Sequence, residues 1–480
     1  MQKLNRQNAA VSAAYPERVL QFGGGNFLRA FVDWILDVYN EKTGAELGVL
    51  VVKPTERGDY QDWRDQDGLF HILTKGIKDG EVVDDSYLVK SVSRIVHPYR
   101  EWEAFLASAE NPEMRFVISN TTESGIRFSP EDKASDQPPN EFPAKLTAWL
   151  YHRYRHFGGS AEAGCIIIPC ELLEENGFKL RDTMLQYAAH WGLEADFSRW
   201  LKEDQQYCNT LVDRIVPGVG EEALREVWEE IGFEDTMVSQ GEPYHLWAIE
   251  APAEVRKELP LDKIGLNVIY TDDLAPYRKS KVRILNGAHT SMVPVGYLYG
   301  LETVGESLDD ALMSAFINKT IFDEILPSLE LPEVNLVKFA NDVLDRFRNP
   351  FIKHKLISIA LNSVSKYRVR VLPSVLSFSR KKESLPPALV FSLSALIRFY
   401  KGSWQGKDIP LNDDQEAIDF MAKAWAESNS VAELVKTVLG WEKAWGCNLN
   451  EVKGLAELLE NQLVSIEEKG MEATMRELAG

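Results

Sequence analysis

Arg18-Val-Leu-Gln-Phe22, Gly23-Gly24-Gly25-Asn26-Phe27-Leu28-Arg29-Ala30 and Phe31-Val-Asp-Trp-Ile-Leu-Asp-Val-Tyr39 follow one another without a break. The first run reads as a short buried strand, the second is a glycine turn, and the third spaces its apolar residues as a helix does. Strand, glycine turn and helix in that order form the setting in which a dinucleotide is held. Glycines let the backbone approach a pyrophosphate, and the helix start offers it unpaired N–H groups. The stretch predicts a cofactor cradle of Phe22, Gly23, Gly24, Gly25, Asn26 and Phe27. The match to G-x-G-x-x-G is incomplete, because Leu28 stands at the third glycine position. A tight turn that holds no ligand is the competing reading.

Outward from this turn, Leu47-Gly-Val-Leu-Val-Val52 supplies the second strand of such a unit. The acid expected at its end to bind a ribose hydroxyl is missing, and Lys53-Pro-Thr55 stands there instead. That chemistry alone leaves NAD and NADP both open. Phe116-Val-Ile-Ser-Asn120-Thr121-Thr-Glu123 predicts a later parallel strand that empties into a polar loop, bringing Asn120 and Thr121 over the cofactor. The Asp-, Pro- and Ser-rich composition of Glu131–Pro143 predicts a surface loop. Cys165-Ile-Ile-Ile-Pro169 reads as another buried strand, and Leu180 to Trp200 as helix. From about Ala275 the β-branched runs give way to helical periods, as in Asp309–Phe322, Ala388–Tyr400 and Asp414–Ser428, with a charged amphipathic tail at Val452–Leu478. The expected fold is α/β: a Rossmann-like dinucleotide-binding domain over residues 1–275, then a mostly α-helical domain over 276–480.

A chain of 480 residues is long for one core, which agrees with two domains. A formal net charge of −20 argues against a non-specific nucleic-acid binder, yet admits an anionic small substrate if Lys and Arg gather at the site. The four cysteines, Cys165, Cys170, Cys208 and Cys447, are too scattered for a disulfide framework and lack the paired spacing of a zinc site. The first residues carry no apolar run for export, and no run reaches membrane-spanning length. The expectation is a cytoplasmic protein, a monomer or small homo-oligomer, without nucleic-acid or membrane partners.

Lys281-Val-Arg-Ile-Leu-Asn286-Gly-Ala-His289 is the stretch that carries chemistry. On an α-helix, at about 100° per residue, Asn286 lies about 140° and His289 about 80° round from Lys281. An ammonium, an amide and an imidazole on one arc suit carbonyl/alcohol chemistry: one moves the proton, one donates to the developing alkoxide, one orients the substrate. An ordinary amphipathic helix with a surface lysine is the alternative. Tyr277-Arg-Lys-Ser-Lys281 also spells the Tyr-x3-Lys pair of short-chain dehydrogenases, but no serine precedes it in Asn267–Ala275.

Three segments, Gly23–Ala30, Asn209-x3-Asp213-Arg214-Ile-x-Pro217 and Lys281-x4-Asn286-Gly-x-His289, together resemble the mannitol dehydrogenase family of polyol-specific long-chain dehydrogenases. The resemblance extends over nearly the whole chain and tolerates Leu28. It implies Lys281 as general acid/base, Asn209 and Asn286 as donors to the carbonyl or alkoxide oxygen, His289 as substrate-orienting group, NAD as cofactor and no metal. With Asn209 and Lys281 in different domains, it also implies a site at their interface. Val52–Gly58 and Ile166–Leu172 are most similar to the members that interconvert a keto hexuronate and its aldonate, which implies a sugar-acid substrate. Members acting on a different keto hexuronate or on an uncharged polyol are the alternatives, and a nucleotide-sensing protein without turnover is the reading from another class. A sugar acid needs a cation for its carboxylate, and Ser363-Val-Ser-Lys366-Tyr-Arg368-Val-Arg370 offers Lys366, Arg368 and Arg370; a solvated basic helix face is the competing explanation.

Overall fold

The computed structural model describes residues 1–121, 124–332 and 334–479, so Thr122 and Glu123 of the predicted cofactor loop lie outside the described residues. The chain divides into two compact units, one of Met1–Lys75 with Val82–Leu274, the other of Gly76–Glu81 with Ala275–Gly480.

The first unit is built on six parallel strands: β1 (Glu17–Phe22), β2 (Gly48–Val52), β3 (Val92–Val96), β4 (Phe116–Ser119), β5 (Ile166–Pro169) and β6 (Gln206–Tyr207). Their order is β3-β2-β1-β4-β5-β6, and every neighbouring pair is parallel. Successive strand residues face opposite sides, and here both sides are buried. Val19, Val49, Val51, Ile118 and Ile168 join one apolar cluster, while Leu20, Leu50, Val52, Val117 and Ile167 join the cluster on the other face. That double burial is why these strands read as unbroken apolar runs rather than alternating ones. The direction of winding reverses between β1 and β4, the place where open α/β sheets bind ligands outside their strand ends. A second sheet adds β7 (Asn209–Asp213), β8 (Leu246–Glu250) and β9 (Val268–Thr271), with β7 antiparallel to β8 and β8 parallel to β9.

One detail departs from the sequence reading and another refines it. The Leu180–Trp200 helix is two helices, Asn176–His190 and Ala195–Glu203, because Gly192 turns the chain at φ 63°. The Glu131–Pro143 loop is tied down by the buried Asp132, whose carboxylate accepts the backbone N–H groups of Asn140 (2.6 Å) and Glu141 (3.0 Å).

Apart from the short strand pair Ser403–Trp404 and Lys407–Asp408, the second unit is helical from Ala275 onward. Its centre is the helix Pro387–Phe399, buried from Ala388 through Phe399, with the helices Gly287–Tyr299 and Leu455–Lys469 packed on it. Among the described residues no helix is long and apolar enough to cross a membrane.

Candidate active site

In the first unit the glycine turn is held from three sides. Gly23 has φ +109°, and a Cβ there would stand 3.0 Å from the Asn120 carbonyl oxygen and 3.1 Å from Leu28. A Cβ on Gly24 would stand 2.6 Å from the Trp63 ring. Gly25 differs: it is exposed, it caps the helix start without a side-chain hydrogen bond, and a Cβ there meets nothing within 4 Å. Packing thus explains two glycines, while the third leaves open space at an uncapped helix start with no acid in its first turn. Those features fit a pyrophosphate.

The flanking cradle residues behave unequally. Asn26 is exposed and Phe27 half-buried, stacked on Phe31 at 4.9 Å. Phe22 has its ring in the core against Phe142 (4.9 Å), so only its backbone is free to line a cofactor. Asn120, across the turn, donates its amide to the Cys170 carbonyl (2.6 Å). Glu171 accepts both the N–H (3.0 Å) and the hydroxyl (3.1 Å) of Thr121, and the Ser119 hydroxyl. Burial raises the Glu171 pKa. Asn120 and Thr121 are therefore fixed beside the switch point of the sheet.

Arg214 had no role assigned from sequence and proves to be a brace. Its guanidinium donates to the Ala30 carbonyl and to the Glu242 carbonyl (2.8 Å), and lies 4.4 Å over the Trp34 ring. It thereby locks the helix that follows the glycine turn. Lys53 is buried, with Nζ donating to the Thr55 carbonyl and hydroxyl, each at 2.9 Å. Its ammonium is folded onto its own loop rather than offered outward.

Asn209 is the expected donor that the structure most constrains. It is 2% exposed; its side-chain oxygen accepts the N–H groups of Gly177 (3.1 Å) and Phe178 (3.3 Å), and its amide donates to Glu250 (3.1 Å). One amide hydrogen remains beyond that bond. Its neighbourhood, a helix start seated on β7, was not legible from the motif.

In the second unit, Lys281–Asn286 forms a π-helical turn between the helices Ala275–Ser280 and Gly287–Tyr299. The expected α-helical angles therefore do not hold there. In π geometry hydrogen bonds run from i to i+5, so Lys281 and Asn286, five apart, sit one above the other; such turns are frequent at functional sites. Lys281 and Asn286 are both half-buried. Gly287 permits the next helix to approach the Arg370 carbonyl, which a Cβ would meet at 3.2 Å.

His289 stacks on Phe347 at 4.2 Å and stands edge-on to His354 at 5.4 Å. Burial first, then the nearby charges of His354, Arg346, Arg370 and Lys366, push its pKa well below the usual imidazole value. His289 is thus neutral near pH 7, where a base so weak takes a proton poorly. Lys366 and Arg370 thus lie within electrostatic range of His289. Both are half-buried, with pKa values lowered by burial, and Lys366 Nζ donates to the Ile359 carbonyl (2.9 Å). Arg368, two residues from each, points away, exposed beside Gly446. Helical spacing of four sets the first pair together and turns Arg368 aside. Phe347, His354 and Arg346 were missed by sequence reasoning, since nothing in their spacing ties them to His289.

Comparison with known proteins bears on both units. The family description "Mannitol dehydrogenase Rossmann domain" matches residues 17–263, and "Mannitol dehydrogenase C-terminal domain" matches residues 273–467. The chain belongs to the mannitol dehydrogenase family and is an oxidoreductase. It is 45% identical to a protein named altronate oxidoreductase from Yersinia enterocolitica, over 99% of each chain. It is equally 45% identical to one of that name from Escherichia coli, over 100% of each. Among solved structures, mannitol 2-dehydrogenase from Pseudomonas fluorescens, in a ternary complex with NAD and D-mannitol, shares the fold at 23% identity and a TM-score of 0.66, covering 99% of each chain. D-sorbitol dehydrogenase in substrate-free form shares it at 20% identity and 0.82, covering 99% of this chain and 100% of that one.

Proposed function

We propose that the chain is an NAD-dependent enzyme that interconverts D-tagaturonate and D-altronate. The observation that carries this is the 45% identity, over the full length, to proteins named altronate oxidoreductase. Two cations within electrostatic range of His289, Lys366 and Arg370, support an anionic substrate over an uncharged polyol. NAD is favoured over NADP because two of the three donors of the Lys53 ammonium are already taken up by Thr55.

Lys281 carries the proton. During reduction its ammonium protonates the carbonyl oxygen as that atom becomes a hydroxyl, and during oxidation the amine takes the proton back. Asn286, one π-turn along, donates a hydrogen bond to the same oxygen, so charge is stabilised without a metal. Asn209 contributes its remaining amide hydrogen. Neutral His289 orients the substrate, and Lys366 with Arg370 holds its carboxylate. NAD(H), held at the glycine turn, supplies or accepts the hydride.

The test is a single assay of NADH and NADPH oxidation with tagaturonate, fructuronate and fructose side by side. Highest kcat/KM for tagaturonate with NADH is expected. A clear preference for fructuronate or fructose would move the chain to another activity of its family, and no turnover on any of them would favour a nucleotide-sensing protein.

A further inference from the structure

The helical unit contains a second basic site. A cleft of about 600 Å³ is lined by Lys279, Arg283, Arg368 and Arg380, with Ser377 and Trp445 among its other walls. No acidic side chain lines it among the described residues, in a chain whose net charge is −20. Lys281, Asn286 and His289 are not among its lining residues either.

Arg283 is what makes this more than a charged surface. It is 8% exposed, it donates one hydrogen bond, to the Ser374 hydroxyl (2.7 Å), and its Nη2 has no partner. Burial lowers its pKa to about 10, which leaves it charged at neutral pH. A buried guanidinium without a counter-charge is costly, and natural sites hold one where an anion completes it. Glu330, which interacts electrostatically with Lys279, is exposed and already paired with Lys381 at 2.8 Å. Arg368 is shared with a smaller neighbouring cleft that holds Asp413, Asp414 and Glu416, so Arg283 and Arg380 carry more of the cleft's unbalanced charge.

We propose that this cleft binds a small phosphorylated anion of the phosphate-monoester class, apart from the reacting residues. Guanidinium groups present forked N–H donors that match phosphate oxygens, and several cations around one cavity suit a dianion better than a single carboxylate. The volume is that of a small-metabolite pocket. The inference stands on the helical unit alone and does not depend on which sugar acid is turned over.

Calorimetric titration of the full chain with inorganic phosphate, at ionic strength held constant with chloride, tests it. Wild type is expected to bind one phosphate saturably. Arg380→Gln, at the rim, and Arg283→Met, at the floor, should each weaken the Kd about tenfold or more, the usual consequence of losing one charge-assisted hydrogen bond. Arg380→Gln keeps the test decisive if the buried substitution fails to fold. Absence of saturable binding in wild type would overturn the site, and so would an unchanged Kd in Arg380→Gln, which would place the phosphate elsewhere, including at the glycine turn.

Discussion

At the scale of single residues, the two asparagines separate. Asn286 sits half-buried on the π-turn above Lys281, whereas Asn209 is buried and ties the helix start at Gly177 and Phe178 to Glu250. Asn286→Ala is expected to lower kcat by roughly 10²–10³, the common cost of one oxyanion donor, with an unchanged Tm. Asn209→Ala strands the Phe178 N–H as well, worth about 1–3 kcal/mol when left unpaired, while the Gly177 N–H keeps the Asn176 side-chain oxygen, so it should lose stability along with activity. Thermal denaturation beside steady-state kinetics distinguishes the two. The basic triplet separates in the same way. Neutralising Lys366 or Arg370 should raise KM for tagaturonate far more than for fructose, while Arg368→Ala, whose side chain lies beside Gly446, should leave that ratio alone. Unchanged tagaturonate kinetics in all three variants would restore the solvated basic face.

At the scale of elements, the glycine turn offers a paired test. Gly23→Ala forces φ +109° on an alanine and drives its Cβ to 3.0 Å from the Asn120 carbonyl, so it should destabilise by roughly 1–3 kcal/mol. Gly25→Ala meets no atom within 4 Å, so its Tm should hold. NADH affinity should nonetheless fall, because the methyl occupies the space assigned to the pyrophosphate; unchanged affinity would place the cofactor elsewhere. Thermal melts with NADH titration read both. The strand–turn–helix context was legible because doubly buried strands and a glycine turn leave direct marks on composition, as Val49–Val52 and Gly23–Gly25 show. The π-turn at Lys281–Asn286 was not, because one residue's worth of helical slippage is decided by packing against other segments rather than by local spacing. Nor was the link of His289 to Phe347 and His354, a meeting of distant segments with no shared period.

At the scale of the whole molecule, two buried carboxylates make stability depend on pH. Asp33, fully buried beside Gln21, has its pKa raised to about 7, mainly by burial. Glu324 accepts the Ala388 and Leu389 N–H groups (2.8 and 2.7 Å), and burial raises its pKa to about 7 as well. A folded-state pKa above the unfolded value means that the fold keeps its proton longer. This contribution is fully present below about pH 4 and is lost as pH rises through about 7. Asp33→Asn should therefore flatten the decline of unfolding free energy between pH 4 and 7, read by denaturant melts across that range; an identical slope would mean that Asp33 titrates normally. The proposed chemistry rests on Lys281 as the proton carrier, with neutral His289 left to orient the substrate. The direct measurement is the pH dependence of kcat/KM for tagaturonate reduction in wild type and in Lys281→Ala. The ionisation that shapes the wild-type profile should vanish in the variant, with part of the rate restored by small amines. Persistence of the same ionisation in Lys281→Ala would contradict the assignment.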